Sequence, residues 1–334
     1  MLDFLQNPPL NRELMQHLGG EFVQPKLLNP NIKEQIKTQN LELCKELGMK
    51  IAKPFSFSVE SFYFLLKKLT KKYKVALALS SHRFLYEAYL LLEEKDQIIP
   101  LIPSYENGEI SIQEALSLGA ECFVLPSLNE DILTSNLHLQ EFLKDKVCIW
   151  DISYALALSL PLPKNAEAYL INGESLGLLH PFGIMAHSCS DFGDFSEIYQ
   201  EIFGIYQVFL KGIQECKPPK KDYALEFFNL LKEDLQDCLT LLYKTPKNTL
   251  AIRLKNNKAR NLIQALMLED ISCINGQECL LGFMQPSFVL RLMGYSTNEA
   301  REFLSLSFCK DFNNITSMAK KIAFKYKQLQ AMQL

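Results

Sequence analysis

A cysteine, Cys279, lies in the stretch INGQECLLGFMQPSFVLRLMG, between Gly276 and Gly282. A thiol does chemistry as its thiolate, so it needs exposure, mobility and a lowered pKa. The two glycines supply mobility. The nearest basic residue is Arg291, and the adjacent Glu278 raises the thiol pKa. The neighbours CLLGFM are apolar, which predicts a packed loop and a thiol of ordinary reactivity. Pro286 suits the first turn of a helix, Gly294 suits its end, and Ser296-x-x-Glu299 has the form of a capping box. Three other polar residues, His82, Asn129 and Asp151, follow strand-like runs. Each also has a local use: Ser81-His82 can start a helix, Asn129 suits a loop, and Asp151 can cap the next helix.

The elements that position these residues alternate. The apolar runs 74–80, 97–103, 121–127, 146–151 and 167–172 predict short buried strands. Helical patterns fit between them, including 82–94 and a short helix that Ser111-x-x-Glu114 begins and Gly119 ends. Such alternation implies an α/β fold with a mostly parallel sheet covered on both faces, and the expected sheet has about seven strands. Ligands of such sheets sit beyond the carboxyl ends of the strands, where Asp151 stands. After about residue 194 the pattern changes. Helices over 195–214 and 222–243 are broken at Pro218-Pro219. Strands at NTLAIRL, ISCI and FLSLSF and a closing helix over 314–331 predict a smaller C-terminal α/β unit. The expected division is 16–215 for the large domain and 1–15 with 216–334 for the small one.

The composition excludes several classes. The chain has 334 residues, is 48% hydrophobic and carries a net charge of −3, which gives no electrostatic case for nucleic acid or an anionic membrane. Lys67, Lys68, Lys71, Lys72 and Lys74 interleave with leucines at helical spacing, as on a solvated helix face. No apolar run is long enough to span a bilayer, and MLDFLQNPPL lacks a basic signal region, so the expected location is cytoplasmic. Nine cysteines without a CxxC pair suit reduced thiols, and the five histidines lack zinc spacing.

Several motifs in order resemble the cysteine desulfurases, the NifS-like enzymes of the class V aminotransferase superfamily. PKNTLAIRL is similar to that family's Pro-Asn-Thr-Leu strand. INGQECLLGFMQPSFVLRLMG is similar to its cysteine loop followed by Pro-Ser-x-Val-Leu and Met-Gly. Upstream, LIPSYENGEISIQEAL, SLNEDI and VCIWDISYA also resemble family segments. The resemblance implies the pyridoxal phosphate transferase fold of type I, a homodimer, and sulfur-transfer or iron–sulfur partners. It implies that Asp151 holds the pyridine nitrogen, His82 stacks on the ring and Asn129 contacts its edge. Cys279 takes the position of the persulfide carrier, and Lys310 that of the arginine gripping the substrate carboxylate.

The chain departs from the pattern where the cofactor is bound. The family's Schiff-base lysine falls at Gly177 or Ser175, and no lysine occurs between Lys164 and Lys211. The phosphate-binding Gly-Ala-Thr turn is replaced within FSFSVES, with Val59 or Glu60 where a hydroxyl belongs, and the family's ring-contacting glutamine is Tyr154. The expectation is a degenerate, non-catalytic desulfurase-like protein without covalently bound pyridoxal phosphate. The alternatives are an active enzyme with atypical cofactor binding and a persulfide relay through Cys279.

Overall fold

The computed structural model describes residues 10–18, 30–180, 182–188, 204–273, 275–276, 285–309, 311–312 and 314–332. Seven strands form the large sheet: β1 (Ile51–Pro54), β2 (Val75–Ala78), β3 (Ile98–Leu101), β4 (Cys122–Pro126), β5 (Val147–Asp151), β6 (Ala168–Asn172) and β7 (Gly183–His187). Their order is β1-β7-β6-β5-β4-β2-β3. Only β7 runs against the rest, pairing antiparallel with both β6 and β1. The mostly parallel seven-stranded sheet is therefore present.

Burial on both faces follows from alternating side chains. In β2, Ala76 and Ala78 face one core, while Val75 and Leu77 face the other. Phe123 and Leu125 of β4 join the first core, and Cys122 and Val124 the second. Helices α1 (Arg12–Met15), α2 (Pro30–Leu47), α5 (Gln113–Ser117) and α7 (Ile205–Glu215) contribute to the first core. Helices α3 (Val59–Thr70) and α4 (Arg83–Leu91) cover the second face. Helix α6 (Ser153–Ala157) follows β5 directly.

The second unit is an antiparallel sheet, β10-β9-β8, built from β8 (Leu239–Leu241), β9 (Thr249–Leu254) and β10 (Phe303–Ser307). It packs with α8 (Tyr223–Leu235), α9 (Ala259–Met267) and α12 (Ile315–Ala331) around Phe227, Leu262, Phe308 and Ile322. Between α9 and β10 come α10 (Phe288–Leu292) and α11 (Thr297–Arg301). A third cluster joins the two units. Ile132 from the large unit meets Phe288, Val289 and Tyr243, with Tyr86 stacked on Phe288 at 5.0 Å. Tyr243 donates to the Tyr105 carbonyl at 3.1 Å and fits against Gly108, where a Cβ would meet its ring at 2.8 Å.

Several expectations change. Residues 271–273 of ISCI form no strand, and Ile274 lies outside the described residues. The expected helix over 222–243 ends at Leu235, and its last part is β8. Ser111 does not cap α5, because Ile112 takes the N-cap position and the Ser111 hydroxyl bonds the Gln113 side chain instead. Ser287 rather than Pro286 begins α10, its hydroxyl accepting from the Leu290 N–H. The Ser296–Glu299 capping box is present, and Gly294 adopts a φ of +97° after α10. The apolar residues of FSFSVESFYFLL form no exposed patch. Phe55, Phe57, Phe62, Leu65 and Leu66 are buried within this chain, and Phe64 is exposed.

Candidate functional site

The ends of β2, β4, β5 and β6 lie side by side, so the residues that follow them share one edge of the sheet. His82, beyond β2, caps α4, its Nδ1 accepting from the Phe84 N–H at 3.2 Å. The residue is half-buried, and its ring centroid lies within 6.0 Å of those of Phe57, Phe62 and Phe84. Burial, helped by His180, pushes its pKa down to about 3, so the ring is neutral at ordinary pH.

Asn129, beyond β4, is fully buried and bonded on both sides of its amide. Its oxygen accepts from Ser80 Oγ at 2.6 Å and Asn136 Nδ2 at 2.8 Å. Its nitrogen donates to Thr134 Oγ1 at 2.7 Å. This network closes the loop on itself.

Asp151 ends β5, where the next helix starts. Its Oδ1 accepts from the Ser153 N–H at 3.0 Å and hydroxyl at 2.5 Å, while Oδ2 has no hydrogen-bond partner among the described residues. Burial raises its pKa to about 6, against the pull of those two bonds.

Three further carboxylates follow the ends of β4 and β6 and were not singled out in the sequence: Glu130, Asp131 and Glu174. Glu130 is 6% exposed and receives one long contact, from the Tyr154 hydroxyl at 3.4 Å. Its pKa is raised well above the usual range, by burial first and then by Asp151 and Asp131. Glu174, after β6, accepts from Asn172 Nδ2 at 3.2 Å and faces His180 Nδ1 at 3.4 Å. Asp131, fully buried with a φ of +66°, accepts from the Ser287 hydroxyl.

The positions matched to the Schiff-base lysine serve the backbone. Ser175 Oγ donates to the carbonyl of Asn172 at 2.8 Å and contacts that of Ser153 at 3.3 Å. Gly177 ends a 3-10 turn, Gly173–Leu176, with a φ of +79°, and its carbonyl accepts from Asn11 N–H at 2.8 Å. At the expected phosphate turn, Ser58 caps α3 and Phe57 is buried in an aromatic cluster. Glu60 is exposed and bonds to the start of its own helix.

A cavity of about 700 Å³ opens beside Ser175 and Gly177, walled also by Leu10–Leu14, Cys216, Lys217, Cys309 and Asp311. His82, Asn129 and Asp151 are not on its wall. Cys279 and Lys310 lie outside the described residues. Among the described residues, no cluster of three or more His, Cys, Asp or Glu suits a metal, and no helix is long and apolar enough to cross a membrane.

The fold is that of the pyridoxal phosphate-dependent transferases, and its solved neighbours include NifS-like proteins and cysteine desulfurases. A NifS-like protein superposes with a TM-score of 0.73 at 13% identity over 99% of both chains. A NifS-like protein from Rickettsia africae ESF-5 gives 0.68 at 14% identity, covering 100% of this chain and 99% of that one. The cysteine desulfurase CsdA from Escherichia coli, in its S-sulfonic acid form, gives 0.66 at 9% identity, covering 100% and 95%. No protein-family model and no curated protein matches the sequence.

Proposed function

We propose that this chain is a cysteine desulfurase-like protein that has lost the cofactor chemistry and works through partners in sulfur or iron–sulfur metabolism. The observation that carries this reading is the use made of the lysine position. Ser175 is tied by its hydroxyl to the strand-end backbone, and Gly177 holds a left-handed turn that side chains disfavour. A lysine at either place would lose those interactions as well as gain a charge.

The residues present do not fit covalently held pyridoxal phosphate. The phosphate end would meet Phe57 and a helix start already capped by Ser58. The ring edge would meet an asparagine whose amide is already bonded. Asp151 alone keeps an oxygen open.

The test is incubation with pyridoxal phosphate, borohydride reduction and peptide mapping, with sulfide release from cysteine measured in parallel. The expected result is no stoichiometric pyridoxyl-lysine and no sulfide. The lysine to watch is Lys217, which lines the cavity beside Gly177. A pyridoxyl group at Lys217 together with sulfide release would overturn the reading and favour an enzyme with a relocated lysine.

A further inference from the structure

We propose that the cavity beside Gly177 binds a small organic anion, a carboxylate on a short apolar body, gripped by Arg12 and Lys217. The inference goes beyond the preceding reading and stands whether or not the cofactor chemistry is lost, because His82, Asn129 and Asp151 are not on this wall.

At about 700 Å³ the cavity has the size of a small-molecule pocket. Its walls come from both units and are pinned in place. Asn11 ties down the N-terminal segment, its N–H donating to the Gly177 carbonyl at 2.8 Å and its side-chain amide to Glu215 Oε2 at 3.1 Å. Helices α1 and α7 pack closely there: a Cβ on Gly212 would meet Leu14 at 3.3 Å and Leu176 at 3.4 Å. From the small unit, Asp311 Oδ1 accepts from the Lys220 N–H at 2.9 Å and from the Tyr223 hydroxyl at 3.2 Å. The charged groups of the wall therefore divide. Glu215 and Asp311 already have donors, whereas Arg12 and Lys217 have no hydrogen-bond or ion-pair partner among the described residues. Glu13 is the wall acid left unpaired, so two open cations stand against one open carboxylate. That surplus suits a single negative charge. Arg12 offers a planar fork that matches a carboxylate. Lys217 sits on a stiff segment, because Pro218 and Pro219 follow it and bias its backbone to the extended form. Leu14, Leu176 and the two prolines give the ligand's body an apolar surface. Inorganic phosphate would leave that surface uncovered and set a second negative charge near three wall carboxylates.

Titration calorimetry with hexanoate, hexylamine and inorganic phosphate tests this on the whole chain. Hexanoate is expected to bind, and hexylamine and phosphate are not. Arg12→Gln and Lys217→Gln change exposed side chains without partners among the described residues, so both variants should melt as wild type does. Each should weaken hexanoate binding at least about tenfold, the loss of one charge-assisted contact. Lys220→Gln removes the same charge from a neighbouring residue that is not on the wall, and should bind hexanoate as wild type does. Absence of hexanoate binding at millimolar concentration, or equally tight binding of hexylamine, would overturn the proposal. So would a loss of affinity in Lys220→Gln equal to that in Lys217→Gln, which would show general charge attraction in place of a site.

Discussion

Ser287 donates its hydroxyl proton to Asp131 Oδ2 at 2.5 Å, and the same carboxylate is backed by Gly276, where a Cβ would lie 2.8 Å from Oδ2. One buried aspartate therefore meets both Gly276 and Ser287, the described residues that flank the Cys279 stretch. It also joins the loop after β4 to the start of α10.

Ser287→Ala should destabilise the protein by about 2–3 kcal/mol, because it removes a bond to a buried carboxylate and a helix cap. Gly276→Ala should cost about 1–3 kcal/mol, from its φ of +99° and the close approach. In a double-mutant cycle with Asp131→Asn, Ser287→Ala should be strongly non-additive. Denaturant melts check this, and simple additivity would show that the contact carries no energy.

Restoring a lysine should not restore cofactor binding. Gly177→Lys forces a side chain into the left-handed region at about 1–2 kcal/mol, and the phosphate turn is still missing. The expected outcome is a slightly less stable protein whose visible spectrum is unchanged by pyridoxal phosphate. A bound-cofactor absorbance band in that variant would mean that the lysine was the only missing part.

Asp151 gives a pH signature. Its folded pKa of about 6 lies above the ordinary 3.8, so the folded state holds its proton more tightly than the unfolded chain. Its contribution to stability is thus lost as pH rises from about 4 to about 6. Asp151→Asn should gain on wild type across that window by up to about 3 kcal/mol. His82 works in the opposite sense, because its pKa is lowered to about 3 and its contribution is lost as pH falls below the ordinary 6.5. His82→Gln should therefore gain on wild type toward acid. Stability curves at stepped pH check both signs.

Thiol labelling should follow burial. Burial raises the pKa of Cys44 and Cys122, takes Cys148 to about 12 and takes Cys216 to about 11, although Cys216 faces the cavity. These four should resist iodoacetamide at neutral pH until the chain unfolds. Peptide mapping after a short pulse tests it, and early labelling of Cys148 would contradict the packing of β5.

The sequence displayed the sheet where burial is two-sided. β2, β4, β5 and β6 are near-continuous apolar runs and were legible. β1 was not, because an edge strand reading Ile-Ala-Lys-Pro lacks that run, nor was β7, which begins with glycine and ends with histidine. β8 was hidden because α8 ends at Leu235, its C-cap Gln236 taking a φ of +45°, without a glycine or proline to mark it. At the site, Asp151 stood out by its place after an apolar strand. Glu130 and Asp131 did not, because two acids in a loop look like solvated charges until tertiary packing buries them.

The place of β1 has a consequence during synthesis. Its one sheet neighbour among the described residues is β7, and the paired residues Ile51 and His187 are 187 − 51 = 136 positions apart. At roughly 5–20 residues per second, a ribosome needs on the order of 10–30 s to make that intervening chain. Helix α2 waits too, since its packing partner α7 is made later still. Throughout that interval the early segment holds Leu43 and Leu47 without their final cover. Nascent chains halted before β7 should therefore be the ones that chaperones retain.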